Sequence, residues 1–312
     1  MPARDADRIE VGPFSVSVSN PEKVLFPKSG ITKREFVDYY VLAARYILPH
    51  VQGRPISMER FPDGVGGDRF FQKATPEYFP DFLTRVEIAS EEGTSKLYTV
   101  IDNEASVVYL ANLVTIPHIW MSRADALRRP DRLVWDLDPM GVGFDKVKVG
   151  AKLLRYLLGE LGLACYPMLT GSRGIHVVAF TRPEADVDVV FQFTKDVAVL
   201  LARKLPQLFT ATYTKSQRGR KIYLDYHRNV YAQTAVAPYA VRAREGAPAA
   251  VPILWEDVDD DALQANAFTV RNAASRLEEV GDAWGEVDRF DDLNAAREQV
   301  ADLLAASRIA GT

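Results

Sequence analysis

The chain has 312 residues, 47% of them apolar, and a formal net charge of −4 at pH 7. This apolar fraction is ample for the packed core of a globular protein. The weakly acidic balance excludes a whole-surface basic field, so any contact with nucleic acid has to come from local basic clusters. A single cysteine, Cys165, excludes an internal disulfide and a cysteine-based metal cage. No stretch reaches the roughly 18 apolar residues of a membrane span, and no signal peptide is evident, so we expect a cytoplasmic protein without membrane association.

The first legible helix begins near residue 33. Thr32 and Glu35 have the spacing of a capping box, and apolar residues follow at helical intervals. Lys33 then lies on the first turn, where a cation opposes the helix dipole unless an anion binds. With Lys23 and Lys28 in the preceding loop, this pattern indicates a phosphate site at a helix N-terminus. An ordinary solvated basic loop is the alternative.

Two adjacent aromatic residues, Phe70 and Phe71, lie between Arg69 and Lys73 after a glycine-rich polar stretch. Nucleobases stack on such rings beside a cationic rim. The pair therefore indicates a base-stacking surface, and core packing of at least one ring is the alternative.

The middle of the chain alternates strand and helix patterns. The predicted elements are a strand over 132–138 stopped by Pro139, a helix ending at Gly162, strands over 164–169 and 175–180 that form a hairpin, a helix over 187–205 and a strand over 221–226. This order predicts a mixed-sheet α/β core. Residues 262–280 and 291–306 have amphipathic helical spacing and are predicted to pack around it. Without a repeat or a flexible linker, the chain reads as one domain.

Three aspartates fall at strand positions in this core. Asp136 and Asp138 are two residues apart, so both side chains project from one face and repel each other unless a cation lies between them. Asp225 completes the set if its strand is a neighbour. Three such carboxylates can hold two divalent ions, and oxygen ligands favour Mg²⁺ or Mn²⁺. A solvated strand end is the alternative. The acidic run 256–261 is expected to be a solvated loop or the acidic first turn of a helix.

The link of the predicted hairpin reads T-G-S-R-G from Thr170 to Gly174. Its glycines allow a phosphate to approach backbone N–H groups, while Arg173 and His176 can donate hydrogen bonds to phosphate oxygens. The pattern predicts a triphosphate cradle, with an ordinary turn as the alternative. His118 reads as either a core or a surface histidine.

With these residues in place, the sequence resembles the primase-polymerase module of the bacterial end-joining ATP-dependent DNA ligase and its free-standing relatives, within the archaeo-eukaryotic primase superfamily. Ordered motifs carry the resemblance through nearly the whole chain. They are NPEKVLFP near Asn20, GITKREFVDYY near Gly30, RPISMERFPDG near Arg54, FFQK near Phe70, PDRLVWDLDP near Pro130, TGSRGIH near Thr170, KIYLDYHRN near Lys221, QTAVAPYAVRAREGAP near Gln233 and FTVRNAASRLEEVGDAW near Phe268.

The resemblance implies an α/β fold of mixed α+β type, with an RRM-like active-site sheet, flanking helices and an N-terminal α/β part. It implies Asp136, Asp138 and Asp225 as catalytic ligands of two Mn²⁺ or Mg²⁺ ions. The remaining implied site residues are Thr170, Ser172, Arg173, His176, Lys215, Arg242 and His118 at the nucleotide, Lys23 and Lys33 at a DNA 5′-phosphate, and Phe70 and Phe71 at the template. The chain departs from the family pattern at Ala240, which replaces a serine, at Glu59, where a basic residue sometimes occurs, and near His118, which lies one position from the usual sugar-contacting histidine.

The expected function is metal-dependent addition of nucleotides, including ribonucleotides, to 3′ ends at gaps or breaks in DNA that carry a 5′-phosphate. The expected partners are DNA, nucleoside triphosphates and proteins of end joining or excision repair. The alternatives are a primase that starts chains de novo, a non-catalytic DNA end-bridging protein and a metal-dependent nuclease. Without a K-x-D-G motif, no ligation through lysine adenylation is expected. We expect one domain, with a DNA-contacting part over about 1–130, a catalytic core over about 131–260 and C-terminal helices over about 261–312.

Overall fold

The structure is a computed structural model that describes residues 7–89, 93–285, 287 and 290–309. The strands in chain order are β1 (Arg8–Val11), β2 (Phe14–Ser17), β3 (Val24–Phe26), β4 (Ile31–Thr32), β5 (Ile56–Arg60), β6 (Phe70–Gln72), β7 (Thr84–Ala89), β8 (Ser95–Val100), β9 (Thr115–Trp120), β10 (Arg132–Pro139), β11 (Cys165–Leu169), β12 (Ile175–Phe180), β13 (Phe209–Thr210), β14 (Ile222–Asp225), β15 (Thr234–Val236) and β16 (Val251–Pro252). The helices are α1 (Lys33–Val51), α2 (Glu104–Asn112), α3 (Phe144–Glu160), α4 (Val187–Lys204), α5 (Ala273–Val280) and α6 (Leu293–Ile309).

The described residues form two compact units. The first unit combines the chain up to Trp120 with Val236–Val251 and Asn266–Gly285. The second unit combines Met121–Ala235 and Pro252–Ala265 with the chain after residue 285. Both units draw on separated stretches of sequence, and the expected single domain stays a prediction.

The second unit is built on an antiparallel sheet. Its strands run in the order β14-β10-β12-β11, and β13 adds a short parallel edge beside β14. Along the chain these elements read β10-α3-β11-β12-α4-β14, the β-α-β-β-α-β arrangement of ferredoxin-like and RRM-like folds. The RRM-like sheet and the mixed α/β class predicted from the sequence are confirmed.

Residues of β10 alternate between two environments. Trp135 is fully buried, its indole N–H donates to the carbonyl of Thr194 on α4 at 3.0 Å, and its ring lies 6.3 Å from that of Phe193. Because successive strand residues face opposite sides, Asp136 and Asp138 project from the face of the sheet away from α4. The sheet thus keeps a buried apolar side for the helices and a second side for charged residues.

The first unit contains a sheet in which β5 lies between β9 and β6, with all pairings antiparallel. Helix α1 begins with the predicted capping box: the Thr32 hydroxyl accepts from the Glu35 backbone N–H at 3.3 Å, and the Glu35 carboxylate accepts from the Thr32 N–H at 3.0 Å. Phe36 of α1 packs against Phe26 and Phe61, with ring centroids 5.8–6.3 Å apart. This aromatic cluster anchors the start of α1.

The predicted helix over 262–280 is wrong for its first half, because only Ala273–Val280 is helical. The backbone before it pairs with another segment: the Ala249 N–H donates to the carbonyl of Phe268 at 2.9 Å, and the Val270 N–H donates to that of Ala247 at 3.1 Å. Backbone groups engaged in this extended pairing cannot form helical bonds. Over the described residues, no helix combines the length and hydropathy needed to cross a membrane.

Candidate active site

The three predicted aspartates meet on two neighbouring strands. Strand β14 lies beside β10, with Asp136 directly opposite Asp225 and Asp138 opposite Tyr223. Opposed residues of adjacent strands project from the same face, so the three carboxylates share one surface. The condition stated for Asp225, that its strand be a neighbour, is met.

Each carboxylate has its own hydrogen-bonding environment. Asp136 is buried, and its Oδ2 lies 3.4 Å from Nε2 of His176, its cross-strand partner on β12. Oδ1 of Asp225 accepts from the backbone N–H of His227 at 2.9 Å and lies 3.1 Å from Nδ1 of the same residue. These contacts fix the orientation of both carboxylates.

The side chain of Arg228 joins the two strands. Its Nη2 lies 3.3 Å from Oδ2 of Asp136, and its Nε lies 3.9 Å from Oδ2 of Asp225. Nothing in the spacing of this arginine from Asp225 marks a contact with a residue 92 positions away, so the sequence pattern did not reveal it. Its role follows only from the strand pairing.

The pKa values of Asp136 and Asp138 are displaced in opposite directions. Burial alone would raise the pKa of Asp136, but His176 and Arg228 together outweigh it and hold that pKa below its ordinary value. Burial, followed by the negative charge of Asp136, raises the pKa of Asp138 to about 6 despite the opposing charges of Arg173 and Arg228. Adjacent carboxylates with separated pKa values are typical of functional sites.

The donor chemistry of this site fits a hard divalent cation. Three carboxylates supply the oxygen ligands that Mg²⁺ and Mn²⁺ prefer, and burial, followed by the negative charge of Asp136, raises the pKa of Asp138. Over the ranges that the structure describes, no three His, Cys, Asp or Glu side chains form a ready ion-binding cluster.

The glycine-rich turn lies against the aspartate strand. The Thr170 hydroxyl donates to the carbonyl of Gly174 at 3.0 Å, closing the turn between β11 and β12. Gly174 lies so close to β10 that a Cβ there would collide with the carbonyl oxygen of Leu137, the residue between the two aspartates. Ser172 is half-buried and Arg173 is exposed. The turn thus presents Arg173 beside the carboxylates.

Two further predicted nucleotide contacts belong to the second unit. His176 is 3% exposed, and within the described part of the chain its Nδ1 is buried without a hydrogen-bond partner. Lys215 is exposed on a short 3₁₀ turn. Arg218 of the same basic loop is instead buried, donates to the carbonyls of Thr212 and Tyr213, and lies 3.5 Å from the Tyr223 ring. The loop is less exposed than its composition suggests.

His118 and Arg242 belong to the first unit. Nε2 of His118 lies 3.1 Å from Oε2 of Glu59, and Arg69 Nη1 lies 3.6 Å from the other oxygen of that carboxylate. The hydrogen bond with His118 is the largest influence on Glu59 and, with the charges of His118, Arg242 and Arg69, keeps its pKa low despite burial. His118 is therefore a buried histidine in hydrogen-bonding contact with Glu59, a partner that the sequence did not reveal.

The two phenylalanines are both on the surface. Phe70 is 46% exposed and Phe71 is 60% exposed, and the ring of Phe71 lies 5.4 Å from that of His118. The alternative that one of them packs in the core is wrong. They lie on β6, the strand next to β5 and therefore next to Glu59.

Lys23 and Lys33 lie at the start of α1, each with a local partner. Lys33 is 5% exposed, and its Nζ donates to the Ser19 hydroxyl at 2.9 Å. Nζ of Lys23 forms an ion pair of 2.6 Å with Asp63. Burial, followed by the charge of Lys23, lowers the pKa of Lys33 to about 8. Lys33 is thus buried, whereas Lys28 in the preceding loop is exposed, and the choice between a phosphate site and an ordinary solvated basic loop stays a prediction.

Comparison with known proteins agrees with this geometry. The family model described as LigD, primase-polymerase domain, matches residues 32–284. Among curated relatives, the multifunctional non-homologous end joining protein LigD of Mycolicibacterium smegmatis is 33% identical over 277 residues, covering 88% of this chain and 36% of the relative. The bifunctional non-homologous end joining protein LigD of Bacillus subtilis is 30% identical, covering 83% of this chain and 42% of the relative.

A solved structure shows the same fold. The polymerase domain of Ligase D from Mycobacterium tuberculosis, in complex with DNA, superposes with a TM-score of 0.81 at 30% identity, covering 88% of this chain and 98% of that chain. The chain thus corresponds to the whole of that polymerase domain, while it spans 36% and 42% of the length of the two curated relatives above. The chain belongs to the family of LigD primase-polymerase domains.

Proposed function

We propose that this chain is a DNA-repair polymerase domain of end joining, a nucleotidyltransferase that extends 3′ ends with nucleoside triphosphates. One observation carries the proposal: Asp136 and Asp225 face each other across adjacent strands, with Asp138 on the same surface and a glycine-rich turn beside it. The relatives are named as end-joining proteins, and the solved neighbour is a polymerase domain bound to DNA.

In the proposed reaction, the 3′-hydroxyl of the primer loses its proton and its oxygen bonds to the α-phosphorus, while pyrophosphate leaves. Asp136, Asp138 and Asp225 would hold two divalent ions, Mn²⁺ or Mg²⁺, which supply charge stabilisation to the attacking and leaving oxygens. The protein's own contribution is to orient these carboxylates: His227 fixes Asp225 through its N–H, and His176 lies against Asp136.

The triphosphate would lie against the turn from Thr170 to Gly174. Arg173 supplies an exposed guanidinium, Ser172 a half-buried hydroxyl and Lys215 an exposed ammonium, all in the second unit. Cationic and hydroxyl donors of this kind bind phosphate oxygens through charge-assisted hydrogen bonds. Nδ1 of His176, buried without a hydrogen-bond partner in the described ranges, is a further donor or acceptor for a ligand.

In the first unit, Arg242 and His118 are the proposed contacts to the triphosphate and the sugar. The carboxylate of Glu59 holds His118 at 3.1 Å, which restricts the orientation of the imidazole. A contact to a sugar hydroxyl at this histidine would favour ribonucleotides, and both ribonucleotide use and Mn²⁺ preference are parts of the proposal that follow from the family resemblance.

The DNA would be held by the two surfaces of the first unit. Lys23 and Lys33 lie at the N-terminal end of α1 and would offer their ammonium groups to the 5′-phosphate of a gap or break. The backbone N–H groups of Lys33 and Arg34 already donate to the carbonyls of Lys23 and Pro21, so the lysine side chains are the proposed phosphate donors here. Phe70 and Phe71 expose their rings for stacking on the template. Proteins of end joining or excision repair are the proposed partners, and the chain itself is proposed to form one functional domain without nick-sealing activity.

The test uses a gapped duplex with a 5′-phosphorylated downstream strand, Mn²⁺ or Mg²⁺, and each labelled ribo- or deoxyribonucleoside triphosphate. Asp136→Ala is expected to reduce nucleotide addition by more than ~10³-fold, because the metals carry most of the charge stabilisation in phosphoryl transfer. DNA affinity should be nearly unchanged. Asp302→Ala, at an exposed position on α6, is the matched control and should behave as wild type.

Retention of a tenth of the wild-type rate by Asp136→Ala would overturn the catalytic assignment. The same assay separates the alternatives: dinucleotide synthesis on an unprimed single strand would identify a primase, whereas DNA binding without any nucleotide addition would identify an end-bridging protein. Strand cleavage in place of extension would identify a nuclease.

A further inference from the structure

Arg228 is held at the aspartates by the turn on which it lies. It belongs to the 3₁₀ turn His227–Asn229 that directly follows β14. The buried Asn229 side chain accepts from the Val134 N–H at 2.8 Å and donates to the carbonyl of the same residue at 2.7 Å, tying the turn to β10. The His227 N–H is engaged by Asp225. The backbone on both sides of Arg228 is thus fixed to the two aspartate strands.

The guanidinium uses carboxylate oxygens that a metal ion would also need. Nη2 contacts Oδ2 of Asp136 at 3.3 Å, and Nε lies 3.9 Å from Oδ2 of Asp225. The remaining nitrogen, Nη1, donates to the carbonyl of Thr234 at 3.4 Å. A divalent ion of this class sits about 2.0–2.2 Å from its oxygen ligands, so an ion on these oxygens would lie close to the positive charge of the guanidinium in its observed position, and the two cations would repel each other.

Without a cation, the three carboxylates would repel one another in a partly desolvated site. Asp136 is 9% exposed and Asp225 is 17% exposed in their side chains, and Arg228 is 37% exposed. Arginine suits this position because its planar fork reaches two carboxylates on different strands, which a point-charge ammonium does less well. Arg228 therefore supplies charge compensation to these carboxylates.

We propose that Arg228 is a resident counter-ion of the catalytic aspartates, which a divalent ion must displace before it can bind Asp136 and Asp225. The inference rests on the proposed metal site and adds a residue that sets its metal affinity. When the ion binds, Asp136 and Asp225 lose their weak contacts with the Arg228 guanidinium and become ligands of the ion. Because Arg228 competes for these carboxylates, the site binds metal less tightly than three free carboxylates would.

The first test measures Mn²⁺ binding to the full chain, without DNA or nucleotide, by the electron paramagnetic resonance signal of free Mn²⁺. Arg228→Gln is expected to lower the dissociation constant by about 10- to 100-fold, the equivalent of one charge-assisted contact. Arg228→Lys, which keeps the charge but not the fork, should give a smaller decrease. Arg155→Gln, whose guanidinium lies over the Trp255 ring, is the control for net charge and should match wild type.

Unchanged or weaker Mn²⁺ binding by Arg228→Gln would overturn the proposal. The proposal would also be overturned if Arg228→Lys bound Mn²⁺ as wild type does while Arg228→Gln bound it more tightly. Long-range charge, and not contact of the guanidinium with the carboxylates, would then explain the change. A different result would contradict the proposed metal site itself: Asp136→Asn would then bind Mn²⁺ as tightly as wild type.

A second measurement compares thermal unfolding in EDTA and in saturating Mn²⁺. Arg228→Gln should unfold at a lower temperature than wild type in EDTA, since its carboxylates lack a counter-ion, and should gain more from Mn²⁺ than wild type does. Equal unfolding temperatures in EDTA with equal gains from Mn²⁺ would contradict a resident counter-ion.

Discussion

At the scale of single residues, burial of the charged group distinguishes Lys33 from Arg173. Lys33 is buried on the first turn of α1 and bonded to a neutral hydroxyl, whereas Arg173 projects into solvent beside the aspartates. A buried ammonium without a carboxylate partner is unfavourable, and an exposed guanidinium costs little. The two residues should therefore respond differently to ligand and to pH.

Arg173→Ala is expected to raise the apparent KM for nucleoside triphosphate by about 10- to 100-fold, because it removes a charge-assisted phosphate contact worth roughly 1.5–3 kcal/mol. Steady-state kinetics on a primed template measure the change, and anisotropy should show unaltered DNA binding. Arg203→Ala on α4 is the control. A loss of DNA affinity with an unchanged KM would assign the turn to the wrong ligand.

The proposed recognition of a 5′-phosphate by Lys33 is expected to depend on pH. Burial and Lys23 lower its pKa to about 8, so in the free protein it loses its proton as the pH rises through that value. A bound phosphate favours the charged lysine, so binding above pH 8 requires proton uptake and weakens with rising pH. Fluorescence anisotropy between pH 7 and about 9.5 should show the preference for phosphorylated over hydroxyl ends falling in wild type.

Three variants test that assignment. Lys33→Ala should show a weak preference that does not vary over this pH range, and Lys33→Arg should show a preference that stays constant, because arginine keeps its proton. The double variant Lys23→Ala, Lys33→Ala should also have a shallower salt dependence, by up to about two units of log–log slope. A wild-type pH profile retained in Lys33→Ala would place the titrating group elsewhere.

At the scale of elements, the distance between the glycine-rich turn and β10 decides where the phosphate donors lie. Gly174 allows the turn to touch the backbone between Asp136 and Asp138. Any side chain there would push the turn away from the sheet. The requirement for glycine thus comes from the close approach of two backbones.

Gly174→Ala should therefore destabilise the chain by about 1–3 kcal/mol, the usual cost of overpacking, and raise the KM for triphosphate more than it changes DNA affinity. Urea unfolding and steady-state kinetics measure the two effects. Gly159→Ala is the matched control: nothing lies near a Cβ at this position of α3, so alanine should stabilise the chain by up to about 1 kcal/mol. If Gly174→Ala had the stability and the KM of wild type, the turn would accommodate a side chain at this position, and glycine would not be required there.

At the scale of the whole molecule, each unit is closed by contacts between residues far apart in the chain. In the first unit, Asp282 accepts from the Tyr239 hydroxyl at 2.6 Å and lies 2.6 Å from Nε2 of His50. Its backbone neighbour Trp284 donates to it as well, at 3.0 Å. One carboxylate thus connects the end of α1 with two segments more than 180 residues further along.

Asp282→Ala is expected to lower the free energy of unfolding by about 3 kcal/mol, because it leaves buried polar partners unsatisfied. Burial alone would raise the pKa of Asp282, but the hydrogen bond and charge of His50 outweigh it and keep that pKa low. A depressed carboxyl pKa stabilises the fold at neutral pH, and this stabilisation is lost as the pH falls through the folded-state pKa. The variant should therefore converge on wild type in acid.

Urea unfolding at neutral and acidic pH measures this difference. Asp81→Ala is the control, because Asp81 is fully exposed and its ion pair with Arg85 spans 3.9 Å. Exposed pairs contribute about 0–1 kcal/mol. A cost for Asp282→Ala no larger than for Asp81→Ala would show that the buried network does not stabilise the first unit.

The sequence alone determined the features that depend on local periodicity. Hydrophobic spacing and capping chemistry predicted α1, α4 and the hairpin β11–β12 close to their observed bounds, because local hydrogen bonding and side-chain alternation dictate them. The two-residue spacing of Asp136 and Asp138 placed both on one face of a strand for the same reason. The ordered motifs then indicated the family, which the comparisons confirm.

Only the tertiary structure decided which residues become partners. Strand order and loop packing bring Asp136 opposite Asp225 and place Arg228 against both. They also form the pairs Glu59–His118 and Lys23–Asp63. The same holds for 268–270, where pairing with another segment overrode a helical pattern. Such contacts join positions far apart in the chain, and their energies depend on burial and distance, which no local sequence pattern encodes.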